Sequence, residues 1–132
     1  MKRSVYAGCF VWAPRRRVLC QLRDNKPGIA FPGYWTCSPG GRVGKREQPR
    51  RAVLRELDEE FGIRVKNLKK IKAHVESAAD FAGVYHFFSA KLASKESHIE
   101  CREGQKAVLF PISKALKLKQ HPLSLQVLKE II

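Results

Sequence analysis

The spacing of apolar and polar positions changes several times along the chain, and each change marks an element. Residues 5–12 and 18–22 are dense in β-branched and aromatic side chains, with Pro14 and Arg15-Arg16-Arg17 between them, which predicts two paired strands around a turn. Residues 24–35 carry Asp24-Asn25, Pro27-Gly28 and Pro32-Gly33, a run of loop punctuation interleaved with Phe31, Tyr34 and Trp35. Residues 48–61 read as a helix, with Pro49 suited to the first helical position and Gly62 as its stop. Leu54, Leu57 and Phe61 are expected on its core-facing side. Residues 65–76 and 84–92 return to strand patterning, the latter alternating around His86-Phe87-Phe88. A polar connection over 93–104 leads to a short strand at 107–111, and Leu125, Leu128 and Ile132 give residues 122–132 a closing helical stripe. Strands and helices alternating irregularly around a mid-chain helix predict an α/β protein with a mixed sheet between helices.

Length changes this picture little: 132 residues fit one domain, 1–132, on the usual prior of roughly 100–200 residues each. No apolar run approaches the ~20 residues of a membrane helix, so no membrane partner is expected. Ala7-Gly8-Cys9 superficially resembles a lipoprotein signal, but too little chain precedes Cys9 for an apolar core of about 7–15 residues, and the segment is expected to be a strand. Cys9, Cys20, Cys37 and Cys101 are scattered without a Cys-x-x-Cys pair, which favours reduced thiols in the cytoplasm over a disulfide framework or a zinc site.

Charge changes the picture more. The net charge is +14, from 26 Lys and Arg against 12 Asp and Glu, which suits a polyanionic partner or a highly solvated surface. The basic residues divide 13 to 13 between residues 1–63 and 64–132, so no basic arm marks a nucleic-acid binder. The acids are concentrated: Glu47, Glu56, Asp58, Glu59 and Glu60 make five of the twelve.

On a helix Glu56, Glu59 and Glu60 stand at i, i+3 and i+4 and share one face. Such crowding destabilises a bare helix by a few tenths of a kcal/mol and raises carboxylate pKa values unless a cation compensates. Mg²⁺ fits, because it takes oxygen ligands and is held by carboxylates together with substrate phosphates. A solvated acidic face is the plain alternative, but Pro39-Gly40-Gly41 stands just upstream, where glycines let the backbone approach a phosphate or metal.

The string Gly41-x5-Glu47-x7-Arg55-Glu56-Leu57-x-Glu59-Glu60-x-Gly62-Ile63 resembles the Nudix box of the Nudix hydrolase superfamily at every defining position. The resemblance is carried by residues 41–63, and it implies a Nudix-type α/β/α sandwich with the catalytic loop-helix in mid-chain. It also implies Glu56, Glu59 and Glu60 as ligands of Mg²⁺, or of Mn²⁺ in its place, with the Gly40 carbonyl as a backbone ligand. Arg55 and Glu47 would be supporting residues of the catalytic set, orienting carboxylates and balancing charge. The implied reaction is attack of a metal-activated water on a phosphorus of a nucleoside diphosphate linked to another group, such as a nucleoside triphosphate, an oxidised nucleotide or a nucleotide sugar. Nucleotide- or RNA-binding modules and hydrolysis at an RNA 5′ end stay open beside it, as does a homodimer.

Superfamily members often add an acid from a later loop as base or further metal ligand. Glu103-Gly104-Gln105 looks like the Glu-Gly-Gln stretch with that role in bacterial enzymes that cleanse oxidised dGTP, so Glu103 is preferred over Glu100, His98, Glu76 and Asp80. For the substrate, aromatics Phe31, Tyr34 and Trp35 are candidates to stack on a base, and Arg23 and Lys26 to meet phosphate oxygens. The aromatics could equally wedge the loop into the core. Trp35 ahead of Gly40-Gly41-Arg42-Val43 is similar to nucleotide-sugar hydrolases of the GDP-mannose type, and the upstream Phe31-Pro32-Gly33 is similar to isopentenyl-diphosphate isomerase-like members. The first group has a degraded box and the second Cys- and His-rich metal surroundings, neither of which is matched here, which leaves a pyrophosphohydrolase preferred.

Overall fold

A computed structural model describes residues 3–78 and 81–132. The first apolar run forms β1 (Val5–Ala13), which turns back into β2 (Arg17–Leu22) through Arg15 and Arg16, both at positive φ. Two short strands follow, β3 (Trp35–Thr36) and β4 (Gly40–Arg42), ahead of helix α1 (Pro49–Phe61). The chain continues through β5 (Val65–Glu76), β6 (Gly83–Leu92) and β7 (Lys106–Pro111), then a short helix α2 (Ile112–Ala115) and the closing helix α3 (Pro122–Ile131). No helix among the described residues is long and apolar enough to cross a membrane.

The seven strands form one mixed sheet, with β1 and β6 parallel and the other pairings antiparallel. β1 and β2 pair only beside their turn, at Trp12–Val18 and Ala13–Arg17, and then diverge. β4 takes up the free edge of β1 at Tyr6–Gly8, and β3 that of β2 at Gln21–Leu22. β5 is an edge strand, paired only with β6, and its register slips twice, near Asn67 at positive φ and again near Ile71.

Alternation along the central strands supplies two cores. Cys9, Val11, Leu19, Phe88 and Ala90 face α1 and meet Val53, Leu57 and Phe61. Phe10, Val18, Cys20 and Phe87 face the other way, against Ala115 of α2 and Leu123, Val127 and Leu128 of α3. The result is the expected α/β/α sandwich. One expectation is corrected: Leu54 is 42% exposed rather than core-facing. The buried stripe of α1 runs through Val53, Leu57, Glu60 and Phe61, and at about 100° per residue Leu54 falls just past its edge. Glu60, by contrast, lies on the stripe itself.

Candidate active site

Helix α1 is delimited as its residues dictate. Pro49 occupies the first turn, where its missing N–H costs nothing, and Gly62 closes the helix at φ 65° with its N–H donating to the Asp58 carbonyl. Between these ends Arg55 organises the acids. Its Nε and Nη2 donate to the two oxygens of Glu47 at 2.8 and 2.9 Å, while Nη1 donates to Glu56 at 2.9 Å and Glu59 at 3.2 Å. Glu47 also accepts the Gly44 N–H at 2.9 Å. The Arg55 guanidinium and then this N–H hold the Glu47 carboxyl down at about 2, so it is ionised at any ordinary pH.

Gly41 lies directly under Glu56: a Cβ there would sit 2.6 Å from that carboxylate. Gly40 is pressed on β1, where a Cβ would come within 1.9 Å of the Ala7 carbonyl oxygen. Close backbone approach at this glycine pair therefore serves the seat of Glu56 and the β1–β4 pairing.

Three carboxylates converge. Ligand oxygens of Glu56, Glu60 and Glu103 lie within 4.8 Å of one another. Glu60 is only 4% exposed, and its Oε2 is buried without a hydrogen-bond partner. Burial, then the neighbouring Glu103 and Glu56, push its carboxyl up to about 10. An orphaned oxygen facing two more carboxylates is a donor set short of a cation, and oxygen-only ligands fit a hard divalent ion. Glu59 stands beside this group, largely exposed and held by Arg55.

Glu103 is delivered by a loop fastened along two seams. On one, the Glu100 and Arg102 N–H groups donate to the Phe61 and Glu60 carbonyls, each at 2.9 Å, and Arg102 Nη1 donates to the Asp58 carbonyl. On the other, the Gln105 N–H donates to the Leu22 carbonyl at 2.8 Å and Gln21 Nε2 to the Glu103 carbonyl at 2.9 Å. The rivals of Glu103 are placed otherwise. Glu100 pairs with Arg102, Glu76 pairs with His74 and caps Ser77 and Ala78, and His98 sits in a short 3-10 turn. Asp80 lies outside the described residues.

Beside Gly40 and Gly41 opens a cavity of about 160 Å³, at the place where β1 and β2 diverge. Its far end is aromatic, with Phe81, Tyr85 and His121 in the wall. His121 Nδ1 accepts the Leu123 N–H at the start of α3, which fixes the neutral ring with its proton on Nε2. Burial and then Arg23 lower its pKa to about 4.

Of the sequence-derived substrate residues, Arg23 lines this cavity. Phe31 packs its ring on Tyr34, Phe81 and His121, in the loop just outside. Tyr34 carries the Lys119 ammonium over its ring at 4.5 Å. Lys26 is exposed, 3.8 Å from Asp24. Trp35 packs edge-on against Phe110 in the core on the α3 side. Sequence reasoning missed Gln21, Phe81, Tyr85 and His121. Only His121 carried a local signal, a polar residue directly before a proline at a helix start.

Comparison with known proteins adds independent findings. A family model described as the NUDIX domain matches residues 2–131. The crystal structure of a MutT NUDIX hydrolase from Burkholderia pseudomallei superposes with a TM-score of 0.79, covering 100% of both chains at 21% identity. The NUDIX domain of Shewanella oneidensis NrtR, solved in complex with ADP ribose, gives 0.72 over 96% of this chain and 83% of that one, at 19% identity. At such identities the likeness speaks for the fold. Among curated proteins, an RNA pyrophosphohydrolase from Gluconacetobacter diazotrophicus is 40% identical over 58 residues, 42% of this chain. The match spans about a third, 34%, of that relative's length.

Proposed function

We propose that the chain, which belongs to the NUDIX domain family, is a Mg²⁺-dependent pyrophosphohydrolase that cleaves the phosphoanhydride of a nucleoside diphosphate linked to another group. The observation that carries this reading is the convergence of Glu56, Glu60 and Glu103 beside a glycine-edged, aromatic-ended cavity. Bound there, Mg²⁺ would lower the pKa of a coordinated water and neutralise charge developing on the phosphoryl oxygens. Glu56, Glu60 and Glu103 would hold it, with the Gly40 carbonyl and Glu59 as further ligands. Arg55, braced by Glu47, fixes the direction of Glu56. Glu103, the exposed member of the group, would act as base towards the attacking water or as a further metal ligand. Phe81, Tyr85 and His121 would hold the base, and Arg23 a phosphate oxygen. Four free thiols suit a cytoplasmic enzyme.

The test is a panel of nucleoside triphosphates, oxidised nucleotides and nucleotide sugars with Mg²⁺, read as release of phosphate, pyrophosphate or nucleoside monophosphate. Turnover of at least one class is expected, and no release from any would end the reading for small substrates. A second reading, removal of pyrophosphate from an RNA 5′ end, is favoured by the +14 charge and by the partial match to an RNA pyrophosphohydrolase. It predicts turnover of a 5′-triphosphorylated oligonucleotide with affinity that falls steeply as salt rises. Affinity indifferent to salt would count against it.

A further inference from the structure

Gln21 stands at an inward position of β2, two residues from Leu19 on the same face, where the alternation of the strand calls for an apolar side chain. It is instead a polar group only 5% exposed. A buried amide must be satisfied, and the way this one is satisfied fixes its orientation. The Glu103 carbonyl 2.9 Å away can only accept, so the group facing it is the amide NH₂. The amide oxygen therefore points away. It has no hydrogen bond among the described residues and is not one of their sealed, unpartnered atoms, and Gln21 is one of the residues that line the cavity.

The Glu103 loop lies flat on this side chain. Gly104, at φ 83°, has no room for a Cβ, which would come 2.6 Å from the Leu22 carbonyl oxygen and 3.3 Å from Gln21 Nε2. One step along, Gln105 Nε2 donates to the Arg23 carbonyl at 2.9 Å. The end of β2 thus lines the cavity and carries one seam of the loop that presents the Glu103 carboxylate to Glu56 and Glu60.

We infer that Gln21 is a positioning residue that couples nucleotide bound in the cavity to the placement of Glu103. Its Oε1 accepts an N–H or O–H from the bound nucleoside, while its Nε2 holds the Glu103 backbone in register with the other two carboxylates. A substrate that supplies the donor locks the amide plane and, through it, the carboxylate. A group that fits the cavity without a donor leaves the seam to the Gln21–Glu103 bond alone. The inference rests on the proposed phosphoanhydride hydrolysis for its catalytic consequence, but not for its structural one.

The experiment compares wild type with Gln21→Met, which keeps length and loses both polar ends, and Gln21→Glu, which keeps an acceptor and, once ionised, loses the donor. Both variants are expected to lose about 10- to 100-fold in kcat, the usual range for groups that orient a metal-binding carboxylate. KM should rise about 10-fold in the Met variant, where the acceptor is gone, and change less than about threefold in the Glu variant, on the ~1 kcal/mol scale of one hydrogen bond. Amide hydrogen exchange supplies a readout free of catalysis: in protein without metal or nucleotide, residues 100–105 should exchange faster in both variants. Unchanged kcat, or unchanged exchange in that segment, overturns the coupling while leaving the hydrolase reading intact. If wild type hydrolyses nothing, the hydrolase reading fails, and exchange alone decides the seam. Should Gln21→Met fail to fold, the exposed Gln105→Ala tests the neighbouring stitch, with faster exchange and a three- to tenfold loss of kcat expected. Wild-type values there overturn the proposal.

Discussion

The two ends of the cavity are built on opposite principles. Beside the glycines three carboxyl groups are forced together, one of them buried with an unpartnered oxygen and pushed up to about 10 by burial and by its two neighbours, an arrangement costly to the fold that a bound cation would relieve. At the aromatic end Phe81, Tyr85 and His121 bury apolar surface, and the single ring that could carry charge is kept neutral. On the proposed function the first end would serve the chemistry and the second the choice of substrate. Mutations should therefore separate the two in kind, with losses of turnover at one and of affinity at the other.

The largest effect belongs to Glu60→Gln. As a proposed metal ligand Glu60 would carry several kcal/mol of charge stabilisation, so its loss should lower kcat at least about 10³-fold, since each 1.36 kcal/mol is tenfold. The same variant should keep or raise the metal-free Tm, because it puts an amide in place of a carboxyl crowded by two acidic neighbours, and should lack the Tm increase expected of wild type with Mg²⁺. Differential scanning calorimetry with and without Mg²⁺ checks both, and a retained Mg²⁺ response would remove Glu60 from the metal site. Arg55→Ala comes next. With Glu47, Glu56 and Glu59 released together, kcat should fall about 10- to 100-fold while KM stays nearly level.

At the other end His121→Ala should raise KM about 10-fold with kcat within about threefold, in line with ~1–3 kcal/mol for a lost base contact. A fall confined to kcat would erase the contrast between the two ends. The one effect outside turnover and affinity is on stability against pH. His121 has its folded pKa lowered from 6.5 to about 4, so between these values the unfolded chain binds more protons. Its contribution is whole above pH 6.5 and is lost as pH falls towards 4, amounting to ~3 kcal/mol at most. His121→Asn, which keeps an acceptor for the Leu123 N–H, should flatten urea-derived stability over that window; an unchanged slope would mean that the ring is free to charge in the fold.

The same contrast explains what could be read from the chain beforehand. Helix α1 was legible because its information is local: Pro49, the spacing of Glu56 and Glu60, and Gly62 need only helical periodicity to be placed. Even there, Leu54 was misjudged, because three apolar residues fit more than one stripe and only the docked sheet selects the one through Val53. β3 and β4 are too short to leave a pattern, and their existence follows from the divergence of β1 and β2. The aromatic end was not legible. Phe81, Tyr85 and His121 come from distant parts of the chain; the first two look in their own segments like ordinary strand or loop residues, and His121 offers only its place before a proline at a helix start. Trp35 and Phe31, close to the metal-side glycines in sequence, drew attention that their packing places mainly in the core and its rim.

The two register slips in β5 bear on how copies of this protein meet. An unpaired strand edge is a template for another chain, and natural proteins blunt it with bulges and lysines. Asn67 kinks this edge, Lys66, Lys69 and Lys70 line the strand, Arg50 Nη1 donates to the Leu68 carbonyl, and Lys66 lies opposite Lys91 across the ladder. A second copy adding its own β5 would bring two rows of lysines together on a bent edge. Part of the positive charge would thus oppose pairing of two copies through β5, a cost that falls on this one edge of the sheet.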